Sequence, residues 1–188
     1  MSLTAVALVV VLCLLAVYLV NLYNGLVRLK HGVSKAWANI DVLLRQRHDE
    51  LPKLVETCKQ YMQHERSTLE AVISARNAVA SARDKGDVGA LGQAESGLRA
   101  GLGQLFAFAE HYPQLKANES FQYLQQRISG LENGIADRRE LYNEAVNLNN
   151  VRIEQFPDVL IASRFGFKAV ELLQFTEAEK ADGDLKSL

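Results

Sequence analysis

Proline, the strongest helix breaker, occurs only at Pro52, Pro113 and Pro157 in 188 residues, which leaves room for very long helices. Cysteine is also scarce. Cys13 falls inside an apolar run and Cys58 well beyond it, so no disulfide is expected between them, in keeping with a reducing compartment. Neither charge is in surplus: a formal net charge of −1 offers no basic face, so no nucleic acid is expected as a partner. Alternating apolar and polar runs that would mark strands are missing. The length suits one domain with an anchor, not two full domains.

What is present begins with an uncharged stretch. From Leu3 to Val20 only Thr4 and Tyr18 are not apolar, and the first charged side chain is Arg28. About 18 helical residues rise roughly 27 Å, close to the thickness of a bilayer's hydrocarbon. Tyr18 and Tyr23 fall near one end, where amphipathic rings favour the headgroup region. A cleaved signal peptide would carry a basic start and a small-x-small site. Residues 1–7 hold no Lys or Arg, and the run ends Tyr18-Leu19-Val20-Asn21. A lipoprotein would need a small residue where Leu12 precedes Cys13. The expectation is a retained transmembrane anchor over residues 1–24. Arg28, Lys30, Lys35, Arg45 and Arg47 follow it and no basic side chain precedes it. The positive-inside rule then puts the N-terminus outside and the following domain in the cytoplasm.

Beyond the anchor, Val33, Trp37, Ile40, Leu44, Leu51, Val55, Cys58, Met62, Leu69, Val72 and Val79 step by threes and fours. This stripe predicts one long helix running to about residue 84. Pro52 predicts a kink in it, the competing view being a new helix from Glu50 with Asp49 as its N-cap. Asp84-Lys85-Gly86-Asp87 reads as a turn, with Asp87 capping a helix whose face is Leu91, Ala94, Leu98, Leu102, Leu105 and Ala109. Gly97, Gly101 and Gly103 within it mark either close helix–helix approach or local weakness. Tyr112-Pro113 ends that helix, and Asn118 or Ser120 caps a third. Its stripe is Phe121, Leu124, Ile128, Leu131, Ile135, Tyr142, Ala145 and Leu148, running to about residue 155. Phe156-Pro157-Asp158 breaks the chain before a short fourth helix that begins with Val159 to Ala162.

The fold expected is therefore all-α: the N-terminal transmembrane helix, then an elongated antiparallel helical bundle of three long helices and a short fourth. The bundle domain occupies residues 25–176, and 177–188 form a mobile acidic tail.

No catalytic constellation emerges. His64-Glu65 begins like the zinc-protease motif, but Thr68 stands where the second histidine belongs. A bundle di-iron site needs Glu-x-x-His, whereas Arg28, Arg45, Tyr61 and Phe108 stand three before the four histidines. The glycines around Gly97 lack a following Lys-Ser or Lys-Thr. The informative polar cluster is Arg47-His48-Asp49, where helical phase turns Arg47 or His48 toward the core. Such a group must be paired. Asp41, Glu65 or an acid of the third helix is in reach, and Glu132 and Arg139 interrupt that helix's stripe. Arg47, His48, Asp49, Glu65, Glu132 and Arg139 are thus either a buried polar network or a ligand or partner site. Phe165 and Phe167 with Phe175 either dock on the bundle or touch a membrane or partner.

The chain also carries a recognisable ordered series of pieces. It runs from Tyr23-Asn24, Ala36-Trp37 and Ile40-Asp41-Val42 through Arg47-His48-Asp49, Leu51-Pro52, Leu54-Val55-Glu56-Thr57 and His64-Glu65. It continues in Tyr112-Pro113, Leu115-Lys116-Ala117-Asn118, Leu131-Glu132-Asn133, Tyr142-Asn143, Phe156-Pro157 and Phe165-Gly166-Phe167. In this series the chain resembles the LemA family along nearly its whole length. Gly134, Leu148 and Ala169 depart from the family's usual residues. The resemblance implies a bacterial inner-membrane protein with one span and a cytoplasmic helical bundle. It implies no activity, cofactor, metal or catalytic residue, and points to other membrane proteins as partners, such as a membrane metalloprotease. The expectation is a non-enzymatic scaffold in the lipid bilayer, a homo-oligomer. Gly25 and Gly32, seven apart on one helical face, either allow copies to approach or loosen the joint after the anchor. The alternative function is a small-molecule or metal sensor using the cluster near His48.

Overall fold

The structure, a computed structural model, describes residues 2–174. Within them the chain forms six α-helices: α1 Leu3–Lys59, α2 Arg66–Lys85, α3 Val88–Ala109, α4 Pro113–Lys116, α5 Glu119–Glu154 and α6 Asp158–Phe165. No strand occurs among the described residues, so the class is all-α as the periodicity predicts. Phe175 and the acidic stretch 177–188 lie outside the described residues. Two compact units divide the chain. One combines residues up to Trp37 with Leu141–Val170, the other Ala38–Glu140 with the described residues from Glu171.

The single helix expected to reach residue 84 is two helices, and this is a correction. The Tyr61 and Met62 amides both donate to the Cys58 carbonyl, at 3.0 and 2.8 Å, and the Glu65 amide donates to the Met62 carbonyl at 3.2 Å. No Gly or Pro marks this break. Cys58, Met62 and Leu69 stay buried across it, so their spacing does not distinguish a continuing helix from a turn. After the turn α2 runs back along α1. Arg76 Nε donates to the His48 carbonyl at 2.8 Å, and farther from the turn Arg83 Nε lies 3.7 Å from Asp41 Oδ1. The result is an antiparallel αα-hairpin.

Pro52 sits inside α1 and does not end it, so Asp49 caps no new helix. Proline has no N–H, which deprives the His48 carbonyl of its usual donor four residues on. Arg76 fills that vacancy from α2. Replacing Arg76 by Ala should therefore cost about 1–3 kcal/mol, the penalty of an unsatisfied half-buried carbonyl. In a Pro52→Ala background the restored amide can serve the same carbonyl, and Arg76→Ala should cost distinctly less. A double-mutant cycle by urea unfolding checks this. Equal costs in both backgrounds would show that Arg76 does not stand in for the missing amide.

Local chemistry explains the remaining boundaries. Gly86 ends α2 at φ 68°, a left-handed conformation that favours glycine. Asp87 Oδ1 accepts from the Ala90 amide at 2.8 Å to start α3, and Asn118 Oδ1 accepts from the Phe121 amide at 3.0 Å to start α5. The three glycines singled out in α3 divide. A Cβ at Gly101 would meet Val72 Cγ2 of α2 at 3.4 Å, whereas Gly97 and Gly103 face open space. In the unit containing the N-terminal half of α1, Leu26, Ile153 and Ala162 are buried together, with Ile161 and Phe167 packed against them. Trp37 and Tyr142 pack ring to ring there at 5.5 Å.

Candidate functional site

Arg47 is the centre of the polar arrangement. It follows Ile40 and Leu44 and precedes Leu51 on the core-facing stripe of α1, so the helix carries it inward and leaves it 1% exposed. A guanidinium there must be neutralised. Its Nη2 donates to Glu95 Oε1 on α3 and its Nη1 to Glu132 Oε1 on α5. Glu132 also lies 3.6 Å from Arg99 Nε, so the group of two arginines and two glutamates is charge-balanced. Arg47 Nε is the one buried nitrogen of the guanidinium without a partner. Burial opposes the Arg47 charge, but the two carboxylates outweigh it and push its pKa up. Glu95 is 3% exposed, and burial pushes its carboxyl above the usual range against the pull of Arg47.

This arrangement ties three helices of one unit together and has little chemistry to offer. Arginine does not give up its proton, and Glu95 is closed to solvent. It is a clamp.

The structure brings together Arg47 and Glu132 of the residues singled out in the sequence, and adds Glu95. Glu95 was legible in principle. It stands in helical phase with Leu91, Leu98 and Leu102, but a spacing of three from Leu91 falls equally on its neighbour Ala94. His48 is half-buried, and its Nδ1 has no partner. Burial and then the nearby Arg76 and Arg83 hold its imidazole pKa below the ordinary value, so it favours the neutral form. Asp49 is exposed. Glu65 opens α2 without a side-chain capping bond and does not join Arg47. Arg139 is half-buried on α5. Cys58 is fully buried, and burial pushes its thiol up to about 12, which removes it as a nucleophile. Among the described residues no group of three or more His, Cys, Asp or Glu side chains is placed to hold a metal ion. A groove of about 700 Å³ beside the α1–α2 turn has an apolar floor of Val55, Met62, Leu69 and Ile73. Its rim cations Lys59 and Arg66 pair with Glu56 and Glu70.

The N-terminal part of α1 is the other candidate. Its side chains are exposed from Leu3 to Asn21, and by length and composition α1 is a helix able to cross a membrane. Among the described residues these features define an all-α bundle with one candidate transmembrane helix. More particularly, the chain belongs to the LemA family, whose model matches residues 36–186. It is also similar to two magnetosome proteins of Paramagnetospirillum magneticum, MamQ 1 and MamQ 2. Each is 35% identical over 102 residues, covering 53% of this chain and 36% of the relative. The magnetosome protein MamQ of Magnetospirillum gryphiswaldense is 24% identical over 185 residues, covering 86% of this chain and 66% of the relative. The chain thus spans between about a third and two thirds of the length of these curated relatives.

Proposed function

We propose that the protein is a non-enzymatic, membrane-anchored scaffold that self-associates in the bacterial inner membrane, its helical domain on the cytoplasmic side. The observation that carries this reading is α1 itself. One unbroken helix begins as an exposed apolar run and ends as a buried stripe of a folded unit. A buried side chain on such a run would argue for a core helix; here none of residues 3–21 is buried. The basic residues from Arg28 onward support the cytoplasmic placement. The closed ion-pair clamp supports a structural rather than a catalytic use of the charged residues. Other membrane proteins in the same bilayer are the natural partners of such a scaffold.

Self-association draws support from Gly25 and Gly32, which share a helical face and have nothing within 4 Å of where a Cβ would sit. A second copy could approach the backbone there, at a concentration raised by confinement to the membrane. The test is the oligomer size of the full-length protein in mild detergent, compared with Gly25→Leu/Gly32→Leu. Both positions are open, so leucine should leave the fold intact and reduce the oligomer number. An unchanged number would sink the glycine interface, and a monomeric wild type would sink self-association altogether.

A further inference from the structure

We propose that α6 is a second membrane contact, lying in the headgroup layer of the leaflet from which α1 emerges, with Phe156 and Leu160 toward the acyl chains and Phe165 beside the exit of α1. This rests on reading the start of α1 as a span. A helix entering hydrocarbon at Leu3 needs about 20 residues to cross about 30 Å, which brings the exit close to Tyr23. The first charged side chain, Arg28, follows soon after.

The residues of α1 at this exit are those that hold α6. The Tyr23 ring packs edge-on against Phe165 and Phe167, with centroids 5.0 and 5.8 Å apart. One turn later Leu26 is fully buried in a cluster with Ile153 and with Ala162 of α6. The depth of α6 is therefore set by contacts with the very turns of α1 that leave the hydrocarbon.

Of the aromatic pair noted in the sequence, Phe167 docks on the bundle while Phe165 stays 60% exposed. Leu160 is likewise 60% exposed and Phe156, just before the helix, 80% exposed. Three large apolar side chains unburied around one short helix call for a cover. The polar groups agree with a lipid one. Asp158, the only acid in α6, is buried and neutralised by Arg152 Nε at 2.8 Å, so the outward surface of the helix carries no carboxylate. Arg164 and Lys168 are exposed, as suits side chains that reach lipid phosphates from an interfacial helix.

The test uses the full-length protein in vesicles of phosphatidylethanolamine and phosphatidylglycerol, with a spin label at Leu160→Cys in a Cys13→Ser background. Buried Cys58 stays silent. Accessibility to oxygen and to a water-soluble nickel chelate is compared with labels at Val11→Cys in the apolar run and Gln122→Cys, an exposed site on α5. Leu160 should show an oxygen-to-nickel ratio severalfold above Gln122, approaching Val11. A Leu160 ratio equal to that of Gln122, with Val11 in lipid, overturns the proposal and leaves the span intact. A Leu160 label shielded from both reagents also overturns it, because protein then covers α6. A water-exposed Val11 overturns the span and the proposal together.

Discussion

Replacing Arg47 by Met should cost about 3–5 kcal/mol of stability, the loss expected when one partner of a buried ion pair is removed. Methionine matches the stem of the arginine but leaves Glu95, 3% exposed, without its counter-charge and with Glu132 as a like-charged neighbour. Urea unfolding of the full-length protein in detergent, followed by helical circular dichroism, measures the loss. Its pH dependence has a definite sign. Burial, with Glu132 beside it, already raises the Glu95 pKa, and removing Arg47 raises it further. A carboxyl whose folded pKa is raised contributes stability below the ordinary value of about 4.3, and that contribution is lost as pH rises through the folded value. The deficit of the variant should therefore shrink on acidification toward that ordinary value and be largest above the raised one.

A second substitution set separates the worth of the clamp from the cost of breaking it. The triple variant Arg47→Met/Glu95→Leu/Glu132→Leu removes all three charges together, and buried ionic triads replaced by apolar side chains are often neutral or stabilising. Arg99 then loses its 3.6 Å neighbour but remains exposed enough to be solvated. Most of the lost stability should return in the triple variant. If Arg47→Met is itself within 1 kcal/mol of wild type, roughly the limit for an exposed pair, the triad is not the closed network its burial indicates.

The sequence carried the helix ends best where a local device sits on them. Asp87, Asn118 and Gly86 cap or terminate where their side chains or backbone freedom suggest. It failed at residues 60–65, where no breaker occurs and the apolar phase runs on through buried Met62. There α2 turns back along α1, and the contacts that mark the reversal, Arg76 to His48 and Arg83 to Asp41, are ones to which a periodicity count is blind. The clamp was half legible for a related reason. Arg47 betrays itself by standing in an apolar stripe, and Glu132 by interrupting one. Glu95 sits among small residues, Gly92, Ala94 and Gly97, where the stripe can be drawn through either Ala94 or Glu95. Only the arrival of a cation from another helix decides between them.

Among the small residues of α3, Gly92→Ala should destabilise the protein whereas Gly97→Ala should stabilise it. Alanine is favoured over glycine in a helix interior by about 1 kcal/mol, so a glycine facing open space should gain nearly that on substitution. Gly97 and Gly103 are such positions. Gly92 is buried, and a Cβ there would stand 1.9 Å from the Gln174 carbonyl oxygen and 3.0 Å from its carbon. Three residues earlier, on the same face, a Cβ at Gly89 would meet Glu171 Oε1 at 3.2 Å. The two glycines thus form a shallow seat on α3 for residues 171–174. The obstacle at Gly92 is backbone, which cannot swing aside as a side chain can, so the seated segment must lift. Lifting exposes Leu173, now 1% exposed, and forfeits about 1.5–3 kcal/mol of apolar burial, more than the helix propensity returns. Urea midpoints should therefore move in opposite directions for Gly92→Ala and Gly97→Ala. Adding Leu173→Ala should cost wild type about 2 kcal/mol or more and cost Gly92→Ala almost nothing, because the leucine has already left its site. Equal midpoints for the two glycine variants would mean that residues 171–174 do not rest on α3.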